Sequence, residues 1–321
     1  MVVSGVVTYW PSLELLQRLV DVLVTSTDRV LIFANYPMAM GERRQLTALG
    51  DGDCIEIFQS DENVGLGRAY NYLLERARSL GADAVFICDQ DSVPHAETVS
   101  QLTQKFGALS AAGHQVAVVG PRPIGPRRQS TEFKDVRLFR RSREDGSPRV
   151  VAADFVISSG SLVALDAFDA VGPFREDFFI DGLDIEWCFR AWHRGYSCWV
   201  ALDAPMEHRL GRGVLTVPLL RLSVLEQPPS RLYTYVRNQV HMLGMIHVPL
   251  RWKLRMLPYI GLQTMIYAMN GRYRRHALVA IGRGFRDGVR LMRTVGRDSA
   301  KVDDTIAVSL PRTQNDAKQR E

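Results

Sequence analysis

Short apolar runs alternate with helical stripes through the first two hundred residues. Residues 2–8, 30–35, 55–59 and 84–88 are β-branched or apolar runs of strand length. Between the first two, Leu13, Leu16, Leu19, Val20, Leu23 and Val24 recur at helical spacing behind Pro11-Ser12, a pair suited to capping, which predicts a helix over 12–25. The clearest stripe is Leu66, Ala69, Tyr70, Leu73, Leu74, Ala77 and Leu80, closed by Gly81. Residues 116–119, 150–165 and 196–201 read as further strands and 184–193 as a short helix, while the Pro/Arg-rich stretch 121–148 reads as an exposed loop or hairpin. Strands alternating with helices predict an α/β fold built on a largely parallel sheet with helices on its faces.

Past Gln227-Pro228-Pro229 the pattern becomes helical only, over 231–247, 251–269 and 273–295. Charge separates this segment from the rest. The chain of 321 residues carries +5 overall, yet residues 228–297 hold thirteen Lys and Arg against the single acid Asp287, which leaves residues 1–227 net acidic. The expected organisation is therefore a catalytic domain over 1–227, a basic helical segment over 228–297, and a polar, disordered tail over 298–321. With 46% hydrophobic and 23% charged residues, disorder of the whole chain, collagen and a disulfide scaffold are excluded. The four cysteines form no C-x-x-C pair, so they give no zinc knuckle and fit a reducing compartment. The N-terminal residues read as a strand, and no secretion signal is expected.

The basic segment needs an anionic partner. Its longest nearly uncharged run, residues 256–269, is shorter than the ~20 apolar residues of a bilayer span and contains Pro258, Gly261 and Gln263. No transmembrane helix is expected. Tyr233, Val236, Val240, Leu243 and Ile246 share one helical face near Arg231 and Arg237. Trp252, Leu254, Met256, Leu257, Tyr259 and Ile260 follow beside Arg251, Lys253 and Arg255. Basic residues beside Trp, Tyr and Met suit a helix lying in the head-group layer, where each basic residue contributes about 1 kcal/mol. The competing reading packs these helices on the catalytic domain with only their arginines solvated. No recognition motif supports nucleic-acid binding.

Four places carry candidate chemistry. Asp89-Gln90-Asp91 ends an apolar strand; residues two apart in an extended chain face one side, and two hard oxygen ligands suit Mg²⁺ or Mn²⁺ holding a diphosphate. A turn or helix cap is the bland alternative. Asn63-Val64-Gly65-Leu66-Gly67 joins a strand to the strongest helix. It begins a G-x-G-x-x-G pattern that fails at Tyr70, so a dinucleotide-binding fold is the leading rival. The run 178–187 sets Asp181, Asp184 and Glu186 among apolar residues, where burial raises a carboxylate's pKa and improves it as a base. Asp184 could also cap its helix, and Glu186 and Arg190, four apart, read as an ion pair. His208, a loop histidine after the last strand, is a candidate to complete a metal site with Asp91.

Taken in order, these residues resemble the glycosyltransferase family 2 enzymes, inverting sugar transferases of GT-A fold, and among them the bacterial rhamnosyltransferase branch. The resemblance spans residues 2–211. It rests on Val7-Thr8-Tyr9, Asn63-x-Gly65 with Ala69-x-Asn71, Asp89-Gln90-Asp91-Ser92, Ser159-Gly160, Phe179-Ile180-Asp181-x-x-Asp184-x-Glu186-Trp187-Cys188-x-Arg190 and His208-x-Leu210-Gly211. It implies a mixed, mainly parallel GT-A sheet and a single displacement using a nucleotide-diphosphate sugar, dTDP-L-rhamnose in that branch. By this resemblance Thr8, Tyr9 and Asn35 line the base pocket. Asn63, Gly65, Asn71, Gln90 and Gly160 belong to the nucleotide-sugar site, and Asp89 holds the ribose or diphosphate. Asp91, with Asp89 and His208, binds the metal, and Asp184 takes the acceptor hydroxyl's proton.

Two departures from the family pattern matter: Ala34 stands where an acid usually reads the base, and Leu183-Asp184 replaces a Glu-Asp pair, which leaves Asp181 or Glu186 to supply the missing carboxylate. The expected activity is transfer of rhamnose to a lipid-linked or polysaccharide acceptor by an enzyme held peripherally at the cytoplasmic face of a bacterial inner membrane. The rivals are an NAD-dependent oxidoreductase and a non-catalytic protein that binds sugar nucleotides or lipid surfaces.

Overall fold

Along the first strand, β1 (Val2–Thr8), Val3 and Val7 pack on one face of a sheet and Val6 on the other, the period-two division that buries a central strand on both sides. The computed structural model describes residues 1–49, 54–124, 149–207, 214–217, 222–270 and 274–306. Helix α1 (Leu13–Ser26) returns the chain to β2 (Arg29–Ala34), then α2 (Met40–Thr47) leads to β3 (Ile55–Gln59), and α3 (Leu66–Ser79) to β4 (Ala84–Asp89). All four strands run parallel. After α4 (Thr98–Ala111) come β5 (Val116–Ile124), β6 (Val150–Ala152), β7 (Ser161–Ala164), α5 (Leu165–Val171), a 3-10 turn at Glu176–Phe178, α6 (Leu183–His193) and β8 (Ser197–Glu207).

The sheet order is β3-β2-β1-β4-β7-β5-β8-β6, with β7 and β6 antiparallel to their neighbours. This is the mixed, mainly parallel sheet expected. Tyr70, Leu73 and Leu74 of α3 and Trp187 of α6 fill one face, and Leu16, Leu19 and Leu23 of α1 with Leu102 of α4 fill the other. A short antiparallel pair, β9 (Val214–Val217) and β10 (Leu222–Leu225), stands apart from this sheet.

One expected strand is two. Residues 150–165 divide into β6 at the sheet edge and β7 between β4 and β5, because Ser158-Ser159-Gly160 turns the chain, with Gly160 at φ +79°. Helices α2 and α4 escape the periodicity reading: α2 buries only Leu46, so it has no stripe. Extended strand β5 enters the stretch 121–148 as far as Ile124; the remainder, 125–148, lies outside the described residues.

The C-terminal segment is helical as expected: α7 (Pro229–Met242), α8 (Leu250–Asn270) and α9 (Arg274–Ile306). Leu232, Val236 and Val240 of α7 meet Ile260 and Ile266 of α8 and Ala277 and Ile281 of α9 in a third apolar cluster. The tail placed at 298–321 begins inside α9, which stays helical to Ile306; residues 307–321 lie outside the described residues.

Candidate active site

Strands β1 and β4 are neighbours, with Val7 beside Asp89, so the sequence places Thr8-Tyr9 and Asp89-Gln90 at adjacent carboxyl ends. The sheet changes winding direction here, since β2 and β3 lie to one side of β1 and β4 to the other, and ligands of open α/β sheets bind in such a crevice. The Gln90 amide bridges it: Tyr9 N donates to Oε1 at 2.6 Å, and Nε2 donates to Tyr9 O at 3.2 Å. Gln90 therefore holds two chain ends together, a backbone role rather than the ligand role assigned to it. Thr8 is buried, while Tyr9 is half exposed and free to meet a planar ligand.

Asp89 and Asp184 are linked through protein groups. Tyr70 donates to Asp89 Oδ1 at 3.4 Å and lies 3.3 Å from Ser158 Oγ, and Ser158 N donates to Asp184 Oδ2 at 3.3 Å. Ser159 Oγ accepts from Asp89 N at 3.1 Å. The turn 158–160 that splits the expected strand is thus what joins the two carboxylates. Tyr70 reads in the sequence as part of the apolar stripe and as a failed third glycine, neither of which marks its hydroxyl; its buried phenol is held neutral, first by burial and then by Asp89. Burial also pushes Asp184 up to about 6, against the stabilising N–H groups of Ile185 and Ser158. Asp184 does not cap α6, whose N-cap is Gly182; it lies in the first turn, where the helix N-terminus favours its charged form.

Asp181 occupies a left-handed conformation, φ +65°, in a loop pinned by α7. Arg231 donates from Nε and Nη2 to Asp181 Oδ1 at 3.0 and 2.9 Å. Buried Asn238 donates to the carbonyls of Phe178, Ile180 and Asp181 at 2.8–2.9 Å, and Arg237 to those of Asp177 and Phe178. Burial would lower the Arg231 pKa, but Asp181 first, and then Asp89 and Asp91, raise it, so this partly exposed guanidinium senses the acidic crevice. Asn238 lies on the opposite side of α7 from Val236 and Val240, so the apolar stripe gave no signal for it.

Several expected site residues have structural work instead. Glu186 is 1% exposed and holds Arg190 through both oxygens at 3.0 Å, with His247 Nε2 2.8 Å from Oε1. Burial would raise its pKa, yet His247 and Arg190 keep it lowered, so its carboxylate serves an internal ion pair. Asn35 accepts from Val64 N and donates to Gly65 O, so its amide fixes the turn that leads into α3. Asn63 accepts from Gly65 N. Asn71 is saturated by the backbone of Phe174 and by Glu176.

Gly65 and Gly67 are required for packing. A Cβ on Gly65, at φ +84°, would lie 2.7 Å from Phe179 Cδ2, and one on Gly67 would lie 2.6 Å from Arg175 O. The N–H groups of Val64, Gly65 and Leu66 all donate to protein acceptors, the last to Phe179 O, so the turn is no pyrophosphate cradle and the dinucleotide rival loses its basis. Gly160 packs against Met206 and donates its N–H to Ile87 O, and makes no ligand-facing surface.

Asp91 lies in a turn closed by Ser92 N donating to Asp89 O at 3.1 Å, so the extended alternation that would pair the two carboxylates stops at Asp89. The residue is exposed and engages no hydrogen bond or ion pair among the described residues. No cluster of three metal-ligating side chains exists among the described residues, and His208 lies outside them, as do Leu210 and Gly211. Two carboxylates with one of them uncommitted still fit Mg²⁺ or Mn²⁺, which characteristically take one or two protein carboxylates and complete their shell with phosphate and water.

No family model matches the chain. It is 25% identical over 311 residues to the dTDP-rhamnosyl transferase RfbF of Shigella flexneri, covering 92% of this chain and 97% of that protein. Among solved structures it resembles TarS of S. aureus, with a TM-score of 0.50 and 15% identity over 84% of this chain and 44% of that one. It also resembles the mannosyltransferase PcManGT of Pyrobaculum calidifontis in complex with GDP-Man and Mn²⁺, with a TM-score of 0.54 and 13% identity over 94% of this chain and 79% of the other. The sheet order and the crevice are those of the GT-A fold that these solved glycosyltransferases share, and the chain is similar to the Shigella flexneri rhamnosyl transferase over nearly its whole length.

Proposed function

We propose that the protein is a metal-dependent, inverting family 2 glycosyltransferase that moves L-rhamnose from dTDP-L-rhamnose onto a hydroxyl of a lipid-linked or polysaccharide acceptor. The observation that carries this reading is the Asp184 carboxyl: enclosed, raised to about 6, and joined through Ser158 and Tyr70 to Asp89 at the strand end. A carboxylate with that pKa is largely ionised at neutral pH and still basic enough to take a proton as a hydroxyl becomes nucleophilic. The acceptor oxygen attacks the anomeric carbon as its proton passes to Asp184; the bond to the donor diphosphate breaks and its electron pair leaves with the diphosphate. Arg231 and the loop it pins orient Asp181 beside this reaction. Mg²⁺ or Mn²⁺ held by Asp89 and Asp91, with His208, would neutralise the charge that grows on the diphosphate.

The rhamnose donor is supported by the full-length similarity to RfbF, and use of a divalent metal by the Mn²⁺ bound to PcManGT. No helix among the described residues is long and apolar enough to cross a membrane, which accords with a peripheral position, placed here at the cytoplasmic face of a bacterial inner membrane against anionic lipid. The test is a donor screen across dTDP-rhamnose, UDP-glucose, UDP-galactose and GDP-mannose with Mn²⁺, scored by nucleotide diphosphate release. Release from dTDP-rhamnose alone is expected. Preference for another donor would overturn the sugar assignment, and heat of binding with NAD but with no sugar nucleotide would overturn the reading as a whole.

A further inference from the structure

Helix α8 shows an inverted distribution for a helix at a protein surface. One side is used inward: Met256, Ile260, Gln263, Ile266 and Tyr267 are buried, several of them against α7 and α9. The opposite side is apolar as well. Leu250, Leu254, Leu257, Met265 and Met269 recur at spacings of four, three, eight and four, which keep them on one side of the helix, and the first three are 69%, 63% and 51% exposed. Ile246, just before the helix, is 81% exposed. An amphipathic helix packed on a core normally turns charge to solvent, and this one turns leucine and methionine.

The surroundings specify what covers that face. Arg255 on α8 and Arg274, Arg275, Arg283 and Arg293 on α9 are exposed. The one acid between residues 228 and 297, Asp287, lies 3.0 Å from Arg286 and 3.6 Å from Arg290, so it offers no free negative charge. An apolar stripe on a segment that carries exposed arginines, and whose nearby acids Asp154 and Asp287 are both ion-paired, complements a surface that is apolar beneath and anionic above. A second copy of the same face fits poorly, because two-fold pairing would bring the same cluster of arginines together. The helix does not meet the requirement for crossing a bilayer.

We infer that the Leu250–Leu254–Leu257–Met265 face of α8 inserts into the head-group layer of an anionic membrane, with the arginines of α9 set against lipid phosphates. This rests on the peripheral-membrane reading above and names its surface. The α8 helix then lies flat, while α7, packed beside it, reaches the active site through Arg231 and Asn238. Insertion fixes the crevice at a set height above the bilayer, as a lipid-linked acceptor requires.

The experiment is flotation of the full chain with vesicles of phosphatidylglycerol mixed with phosphatidylethanolamine, beside neutral phosphatidylcholine vesicles. Wild type is expected to float with the anionic vesicles only. The combined variant Leu250→Ser, Leu254→Ser, Leu257→Ser should lose more than about tenfold in vesicle affinity while binding dTDP unchanged, which shows that it is folded. A second variant, Leu254→Trp, should show quenching by brominated lipid in excess of that of the five native tryptophans, Trp252 of α8 among them. Wild-type flotation by the serine variant, with no excess quenching of the tryptophan variant, would overturn the assigned face while leaving membrane association intact. Absence of flotation by wild type would overturn both. A wild-type dimer dissociated by the serine substitutions, without vesicle binding, would assign the face to a second copy instead.

Discussion

Arg231, carried by the C-terminal helix α7, grips the carboxylate of Asp181 in the catalytic domain, with Nε and Nη2 at 3.0 and 2.9 Å from Oδ1. Asp181 pays for this position with a left-handed backbone, φ +65°, which a non-glycine residue holds only when its surroundings enforce it. The basic segment is therefore part of the active-site scaffold as well as a candidate lipid-facing device.

Arg231→Ala should release the loop that Asp181 shares with the start of α6. Misplacing catalytic groups by a fraction of a helix turn costs about a hundredfold in kcat/KM, and that is the expected loss, whereas stability should fall by only about 1 kcal/mol because the arginine is partly exposed. Arg231→Lys should recover only part of the rate, since an ammonium cannot reproduce the two-nitrogen contact. Steady-state rates on purified variants, set beside urea denaturation, check both halves. An alanine variant of undiminished kcat/KM would remove Arg231 from the positioning role.

Asp184 sets a pH dependence. The base must be ionised, so kcat/KM should rise as pH increases through about 6, the value to which burial pushes this carboxyl. The same shift acts on stability with the opposite sense. The folded chain keeps this proton to about 6 and the unfolded chain only to the ordinary 3.8, so the group's contribution is full at low pH and is lost as pH rises through about 6. Asp184→Asn should cut transfer by about a thousandfold and abolish the acidic limb while donor binding persists. A pH–rate profile with its acidic limb unmoved in the variant would assign the base elsewhere.

The strands and the strongest helices were legible because burial writes a simple period into them: residues 55–59 read as a strand and form one, and the Leu66–Leu80 stripe is α3. The acidic residues were legible as types, but their division of labour was not. The spacing showed the Glu186–Arg190 pair, but not His247 from beyond α7, which adds a second partner to Glu186 that Asp184 lacks. Asn35, Asn71 and Gln90 looked like ligand-binding groups because an amide on the backbone and an amide on a nucleotide have the same sequence signature. Arg231 looked like a membrane contact because charge counting ignores direction.

Two substitutions separate scaffold from chemistry. Glu186→Gln leaves Arg190 and His247 without their buried counter-charge and should destabilise the protein by about 3 kcal/mol, with kcat per folded molecule kept at low temperature. Gly67→Ala drives a methyl group against Arg175 O and should cost about 1–3 kcal/mol, and it should also reduce kcat because the displaced segment 175–181 carries Asp181. Chemical denaturation at constant m, paired with rates below the unfolding transition, distinguishes the two. Loss of kcat in a fully folded Glu186→Gln enzyme would return that residue to the catalytic set.

Asp91 is the exposed member of the acidic pair at the end of β4, and its carboxylate is uncommitted among the described residues while Asp89 accepts from Tyr70. Removing it should therefore leave the protein's stability nearly unchanged, as expected for a surface group without partners. Its effect should appear only where metal and diphosphate meet. In Asp91→Ala, calorimetric binding of dTDP should no longer tighten when Mn²⁺ is added, and transfer should fall by about a hundredfold or more, since a metal supplies several kcal/mol of charge stabilisation on a leaving diphosphate. Binding of dTDP without metal should match wild type if the base sits at Thr8 and Tyr9, as proposed, because those residues belong to the neighbouring strand end. If Mn²⁺ still tightens dTDP binding to the same extent in the variant, Asp91 is a turn residue and the metal, where used, is held by other groups.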